Sequence, residues 1–154
     1  MRELHALVID NDVQYRTRVQ KLLENSGFTV AVTNLGHEGL ALAKQSRFSL
    51  VCYSADQTDM TCSEFCGQLR ALAGYDHVSV IVLAMEDNSR LLKQALLAGA
   101  TDIFNKHDLP ELENYIQRLV ERKERQLTGR VLFIEDSRVL QEIIIDLLTD
   151  MGLD

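Results

Sequence analysis

The sequence predicts a three-layer α/β fold, with five parallel strands doubly wound by helices on both faces. Three observations point to it. Short apolar runs alternate with segments of helical periodicity five times along residues 1–126. The runs have almost no polar face, as expected of strands buried between two helical layers. Glycines at 27, 74 and 99 stop helical segments, so each unit closes before the next begins.

The elements follow in order. Leu4–Ile9 is an apolar run ending in acids and reads as a buried strand. Residues 13–26 carry Val19, Leu22 and Leu23 at helical spacing. Phe28–Thr33 is short and β-branched, a strand. Glu38–Gln45 is a helix, and Phe48–Tyr53 a strand. Ser63–Ala73 turns Phe65, Leu69 and Leu72 inward as a helix. Val78–Leu83 is the most β-branched run in the chain. Asn88–Ala98 is a helix rich in Leu and Ala, and Thr101–Asn105 a strand. Asp108–Gln126 is a long helix, with Asp108 as cap, Pro110 in the first turn and a stripe of Leu112, Tyr115, Ile116, Leu119 and Val120. In such folds ligands bind at the carboxyl ends of strands, so the loops after the strands carry the function.

Composition narrows the class. The chain has 154 residues, 46% of them hydrophobic, enough for one packed domain and a remainder. Its net charge of −7 disfavours a nucleic-acid-binding surface. No apolar run approaches the ~18 residues of a membrane span. The start, MRELHALVID, lacks a secretory pattern. Three cysteines, Cys52, Cys62 and Cys66, suit reduced thiols in a cytoplasm, and without a second pair they do not suit zinc. His5, His37, His77 and His107 are scattered and read as surface residues. Glycine-rich phosphate-binding motifs and an ordered Ser/His/Asp set are absent.

The remainder is a repeat. VLFIEDSRVLQEIIIDLLTDMG from Val131 resembles ALVIDNDVQYRTRVQKLLENSG from Ala6. Leu7, Ile9, Leu22, Leu23 and Gly27 meet Leu132, Ile134, Leu147, Leu148 and Gly152. Acids follow the strand in both copies, Asp10 in one and Glu135 with Asp136 in the other. Residues 1–126 therefore read as one domain. Residues 127–154 read as a linker plus the first strand and helix of a second, similar domain belonging to a longer protein. The charged run Glu121–Gln126 reads as a solvated helical linker.

Particular motifs sit at the strand ends. VID ends the first strand at Asp10, with Arg16 six residues on. Gly99-Ala100-Thr101-Asp102 leads to Lys106. FSLVCYSADQTDMTCSEFC runs from Phe48 to Cys66, with Met60, Glu64 and Phe65 at telling positions. Over residues 4–126 these resemble the receiver domain of two-component response regulators, a flavodoxin-like (βα)5 fold. The resemblance implies an acidic pair holding Mg²⁺, a phosphoacceptor aspartate ending strand 3, a Thr or Ser ending strand 4, a lysine ending strand 5, and an aromatic three residues before it. It also exposes departures. Ser54 stands at the acceptor position, Asn11 at the second acid of the metal pair beside Asp10, Ala84 at the Thr/Ser position and Ile103 at the aromatic position. Thr58 and His107 replace prolines, and Cys62 a glycine. Lys106 stands at the lysine position.

These residues predict a pseudo-receiver. A serine hydroxyl with no adjacent base is a poor nucleophile. Losing two carboxylates leaves Mg²⁺ binding weak or absent and no other cofactor implied. Lys106 then reads first as an ion pair with Asp10 and second as an anion contact. The expected function is a non-enzymatic signalling module acting by protein contact through the fourth helix, fifth strand and fifth helix, with Leu91, Leu92, Ile103 and Tyr115 as candidates and ordinary core as their bland alternative. Expected partners are its own second receiver, an output domain such as a diguanylate cyclase, and a histidine kinase acting on the second receiver. A homodimer formed by strand 131–134 adding to another sheet is a further expectation. The alternatives are an active acceptor using displaced acids Asp10, Asp12 and Asp56, for which surface-loop acids are the bland reading, and a flavodoxin-like small-ligand binder with a cavity at the strand ends.

Overall fold

In a computed structural model, residues 3–86 and 89–127 are described. The strands are β1 (Leu4–Ile9), β2 (Phe28–Thr33), β3 (Leu50–Ser54), β4 (Ser79–Ala84) and β5 (Asp102–Asn105). The helices are α1 (Val13–Asn25), α2 (Gly36–Gln45), α3 (Cys62–Arg70), α4 (Ser89–Ala98) and α5 (Leu109–Leu127). The strands form one parallel sheet in the order β2-β1-β3-β4-β5. This is the doubly wound three-layer fold that the sequence predicts. The second-domain start, with Glu135 and Asp136, lies outside the described residues, as does Asn88, the expected first residue of α4. Among the described residues no helix is long and apolar enough to cross a membrane.

The two-residue period of a strand sends successive side chains to opposite faces, and both faces here are apolar. Leu7, Ile9, Val51, Tyr53, Val80 and Val82 pack with α2, α3 and α4, where Leu40, Phe65, Leu69 and Ala95 meet them. Ala6, Val8, Leu50, Cys52, Ile81 and Leu83 pack with α1 and α5, meeting Val19, Leu23, Leu112 and Ile116. Tyr53 and Phe65 stack at 4.1 Å between centroids.

Several boundaries differ from the sequence reading, each because of particular hydrogen bonds. β3 starts at Leu50, since the Phe48 amide turns to the Tyr75 hydroxyl and the Ser49 amide, donating to the His5 carbonyl of β1 at 2.8 Å, leads into the ladder. It runs on to Ser54, which still pairs with Leu83. α2 starts two residues early because Asp59, distant in sequence, accepts from the Gly36 and His37 amides. α3 starts at Cys62 because Thr61 caps it, accepting from the Glu64 amide at 3.2 Å.

Arg70 closes α3 and braces the loops beyond it. Its guanidinium donates to the carbonyls of Gly99, Tyr75 and Val78 at 2.5–2.9 Å. Gly99 has a φ of +119°, and a Cβ there would come within 2.8 Å of Arg70 Cγ. Replacing Arg70 strands these carbonyls in a half-buried site. Arg70→Met should cost about 2–4 kcal/mol of unfolding free energy, measured by urea denaturation.

Candidate functional site

The carboxyl edge of the sheet gathers the residues singled out by sequence. β1 delivers Asp10, β3 ends in Ser54, β4 ends in Ala84, and Lys106 follows β5. Asp10 and Ser54 are fully buried, and Ala84 and Lys106 nearly so. The Lys106 amide donates to the Ala84 carbonyl at 2.8 Å, which continues the β4–β5 ladder and sets the direction of the side chain.

An ion pair dominates the site. Lys106 Nζ lies 2.9 Å from Asp10 Oδ2, and both side chains are almost wholly buried. The same Nζ is 3.8 Å from Asp56 Oδ2, whose side chain is half exposed. It also sits over the Tyr15 ring, 5.0 Å from the centroid. The Tyr15 hydroxyl is buried without a hydrogen-bond partner. Burial first, then Cys52 and Asp10, push its pKa well above the ordinary value.

The acids near the edge have separate employment. Asp10 Oδ1 accepts from the Asp12 amide at 2.9 Å. Asp12 caps α1, its Oδ1 accepting from the Gln14 and Tyr15 amides at 3.1 and 3.2 Å. Asn11 is exposed, and its amide donates to Gln57 Oε1 at 3.0 Å. Gln57 Nε2 in turn donates to the Asn34 carbonyl at 2.8 Å, so one side chain links the loops after β1, β2 and β3. Arg16 donates to the Asp10 carbonyl at 3.1 Å. Ser54 Oγ accepts from the Asp56 amide at 3.3 Å. The displaced-acid set therefore divides: Asp10 and Asp56 both approach Lys106, while Asp12 is engaged at a helix terminus.

Two features escaped the sequence reading. His37 is exposed, as the sequence predicts, but its Nδ1 lies 2.8 Å from Asp59 Oδ2, a contact the sequence does not signal. Burial raises the Asp59 carboxyl, but hydrogen bonds from His37 and Gly36 outweigh it and hold the group below its ordinary value. Tyr15 beneath Lys106 carried no signal beyond an aromatic one turn into α1. On α3 Cys62 and Cys66 are free and buried, with thiols pushed by burial to about 11 and about 12. On the α4–β5–α5 face, Leu92 is exposed, while Leu91, Ile103 and Tyr115 are half-buried. The Tyr115 ring lies 5.1 Å from that of Phe104.

Two outcomes follow. Lys106→Met leaves the Asp10 carboxylate buried without its cation and should cost about 3–5 kcal/mol by urea denaturation, whereas Lys106→Met with Asp10→Leu should recover most of that loss. Asp59→Ala should cost about 1 kcal/mol at neutral pH, the usual worth of a cap. Because the folded-state pKa of Asp59 is lowered, its contribution is present above the ordinary carboxylate pKa and lost as pH falls through the folded value. Unfolding midpoints of wild type and variant should therefore converge on acidification.

Comparisons with known proteins identify the family. The profile described as response regulator receiver domain matches residues 6–117. The transcriptional regulatory protein ZraR of Salmonella typhimurium is 26% identical over 117 residues, covering 75% of this chain and 26% of that protein. The protein of the same name from Escherichia coli K12 is 27% identical over 96 residues, covering 62% of this chain and 21% of that protein. The chain thus spans about a quarter of the length of these curated relatives. Among solved structures, the chemotaxis response regulator CheY4 of Vibrio cholerae has a TM-score of 0.67 at 24% identity, covering 75% of this chain and 99% of that one. The receiver domain of the sensor histidine kinase PA1611 of Pseudomonas aeruginosa, which holds a magnesium ion in its active-site cleft, has a TM-score of 0.68 at 19% identity, covering 78% and 99%. These two likenesses are likenesses of fold. Receiver domains are non-catalytic signalling modules whose partners are proteins, and this chain belongs to the response regulator receiver domain family.

Proposed function

We propose that residues 1–126 form a pseudo-receiver, a signalling module that acts by protein contact without aspartyl phosphorylation. The observation that carries this reading is Ser54, a fully buried hydroxyl at the end of β3. Phosphoryl transfer from phosphohistidine to a receiver requires a carboxylate nucleophile and a divalent cation to neutralise the transferred group. Ser54 supplies neither the charge nor an adjacent base. Ala84 has no hydroxyl to meet a phosphoryl oxygen.

The donor set does not fit magnesium. Mg²⁺ needs near-octahedral oxygen ligation with protein carboxylates in its shell. Here Asp10 is the one buried carboxylate at the edge among the described residues, and both of its oxygens are engaged, one by Lys106 and one by the Asp12 amide. Asn11 is neutral, and Asp12 caps α1. No step of the module's work is therefore routed through a metal.

In this reading the module's partners are its own second receiver beginning in residues 127–154, an output domain, and a histidine kinase acting on the second receiver, within a cytoplasmic signalling protein. A diguanylate cyclase is one such output. Self-association into a homodimer belongs to the same proposal. The contact face is built by α4, β5 and α5, where Leu92 is exposed and Leu91, Ile103 and Tyr115 are half-buried.

One observation favours a second reading. Asp56 Oδ2 lies 3.8 Å from Lys106 Nζ, so a displaced acceptor carboxylate would still meet the retained lysine. A single experiment separates the two. The chain is incubated with acetyl phosphate and Mg²⁺ and examined by intact-mass analysis and peptide mapping. The expected result is no added phosphoryl group on residues 1–126. An adduct on Asp56 would establish the second reading, and an adduct on Ser54 would sink the first.

A further inference from the structure

A cavity open to solvent on one side lies between α4 and the carboxyl ends of β4 and β5, with a volume of about 320 Å³; Glu86 and Leu92 at its mouth are exposed. Its apolar wall includes Ala84, Leu91, Ile103 and Phe104. It exists because the surrounding groups are small or loosely seated. Ala84 contributes only a methyl group, Ile103 is half-buried, and α4 fully buries only Ala95.

We infer that this cavity binds a small molecule with an apolar, ring-sized body and one protonated amine. Pockets that take small molecules begin at ~300 Å³ and combine a mostly apolar wall with a few polar groups that fix orientation. Both conditions are met here. The amine follows from Glu86, the single charged side chain among the described lining residues, which is exposed and stands just beyond the end of β4. Asn105, the other polar member at the strand ends, already accepts from the His107 amide through Oδ1 at 2.8 Å. Glu86 is thus the lining group that supplies charge, and it supplies the sign that selects a cation.

The site has a direct route to the ion pair. Ala84 lines the cavity, and its carbonyl accepts from the Lys106 amide at 2.8 Å. Asn105, also in the wall, immediately precedes Lys106. A molecule seated here presses on the two strand ends that aim the lysine at Asp10. The cavity shares Leu91, Leu92 and Ile103 with the proposed contact face, so a bound molecule would act on that same face; the inference does not depend on whether the domain is phosphorylated, because neither Ser54 nor Asp56 lines the cavity.

The test uses the full chain labelled with ¹⁵N and titrated with tryptamine, indole and indole-3-acetate. Saturable amide shifts are expected at Ala84, Ile103 and Phe104. Tryptamine should bind about two- to fivefold tighter than indole, which is what one exposed ion pair adds, and indole-3-acetate should bind weakest. Glu86→Gln should equalise tryptamine and indole. Ala84→Leu and Ile103→Phe, which fill the space from opposite strands, should each abolish the shifts, so failure of either variant to fold leaves the other to decide. The absence of saturable shifts with all three probes, or their persistence in a folded filled variant, overturns the site. Indole-3-acetate binding as tightly as tryptamine overturns the assignment of charge.

Discussion

The Lys106–Asp10 ion pair is the constraint on which the carboxyl edge depends. Moving either charge from water into a nearly sealed site costs several kcal/mol, so each is tolerable only because the other is there. The strand order makes the pair a long reach. β1 and β5 are separated by β3 and β4, and the lysine spans their ends, where Ser54 and Ala84 stand. Both are small, and neither adds a charge. A receiver that holds a cation keeps several acids together because the metal neutralises them. Among the described residues this edge has one buried acid and one buried base, and their charges balance each other.

Polar braces around the pair hold the loops in one arrangement. Gln57 joins the loops after β1, β2 and β3 through two hydrogen bonds. Asp59 ties the loop before α3 to the amino end of α2, and the Tyr53 hydroxyl donates to the Met60 carbonyl at 2.6 Å within that same loop. Each of these bonds satisfies a backbone group of a loop at the carboxyl edge from within the protein.

The sheet was legible because its cause is local. Apolar runs without a polar face announce strands buried on both sides, and the register of VID, of the Phe48–Cys66 segment and of Gly99–Asp102 leading to Lys106 carries Asp10, Ser54 and Lys106 to the same edge. Even the ion pair was readable, since a buried lysine beside one acid has few other partners. The rest depends on contacts that no window of sequence contains. Asp59 starts α2 from 23 residues downstream, and Gln57 reaches back 46 residues to Asn11. Arg70 satisfies the Gly99 carbonyl 29 residues on. Asp, Gln and Arg on surfaces are ordinary, so nothing in their identity separates a brace from a solvated side chain. Tyr15 beneath Lys106 is missed for the same reason: an aromatic on a helix reads as core, and the ring is core, with a cation above it.

The distribution of packing decides where such a domain has room to change. The carboxyl edge is fixed by a buried pair that costs more to break than a helix face costs to shift. The opposite condition holds on α4. That helix fully buries only Ala95 and leaves Leu97 80% exposed and Leu92 38% exposed. Elements with few buried apolar contacts open at the lowest free energy, and the parts of a fold that respond to partners or ligands are drawn from them. Ala84 and Ile103 join the two regions, since they flank α4 on one side and precede or pair with the segment that carries Lys106 on the other. A contact that reseats α4 therefore reaches the ion pair through two strand ends. Such coupling is reciprocal, so whatever shifts the ion pair bears on α4 to the same extent.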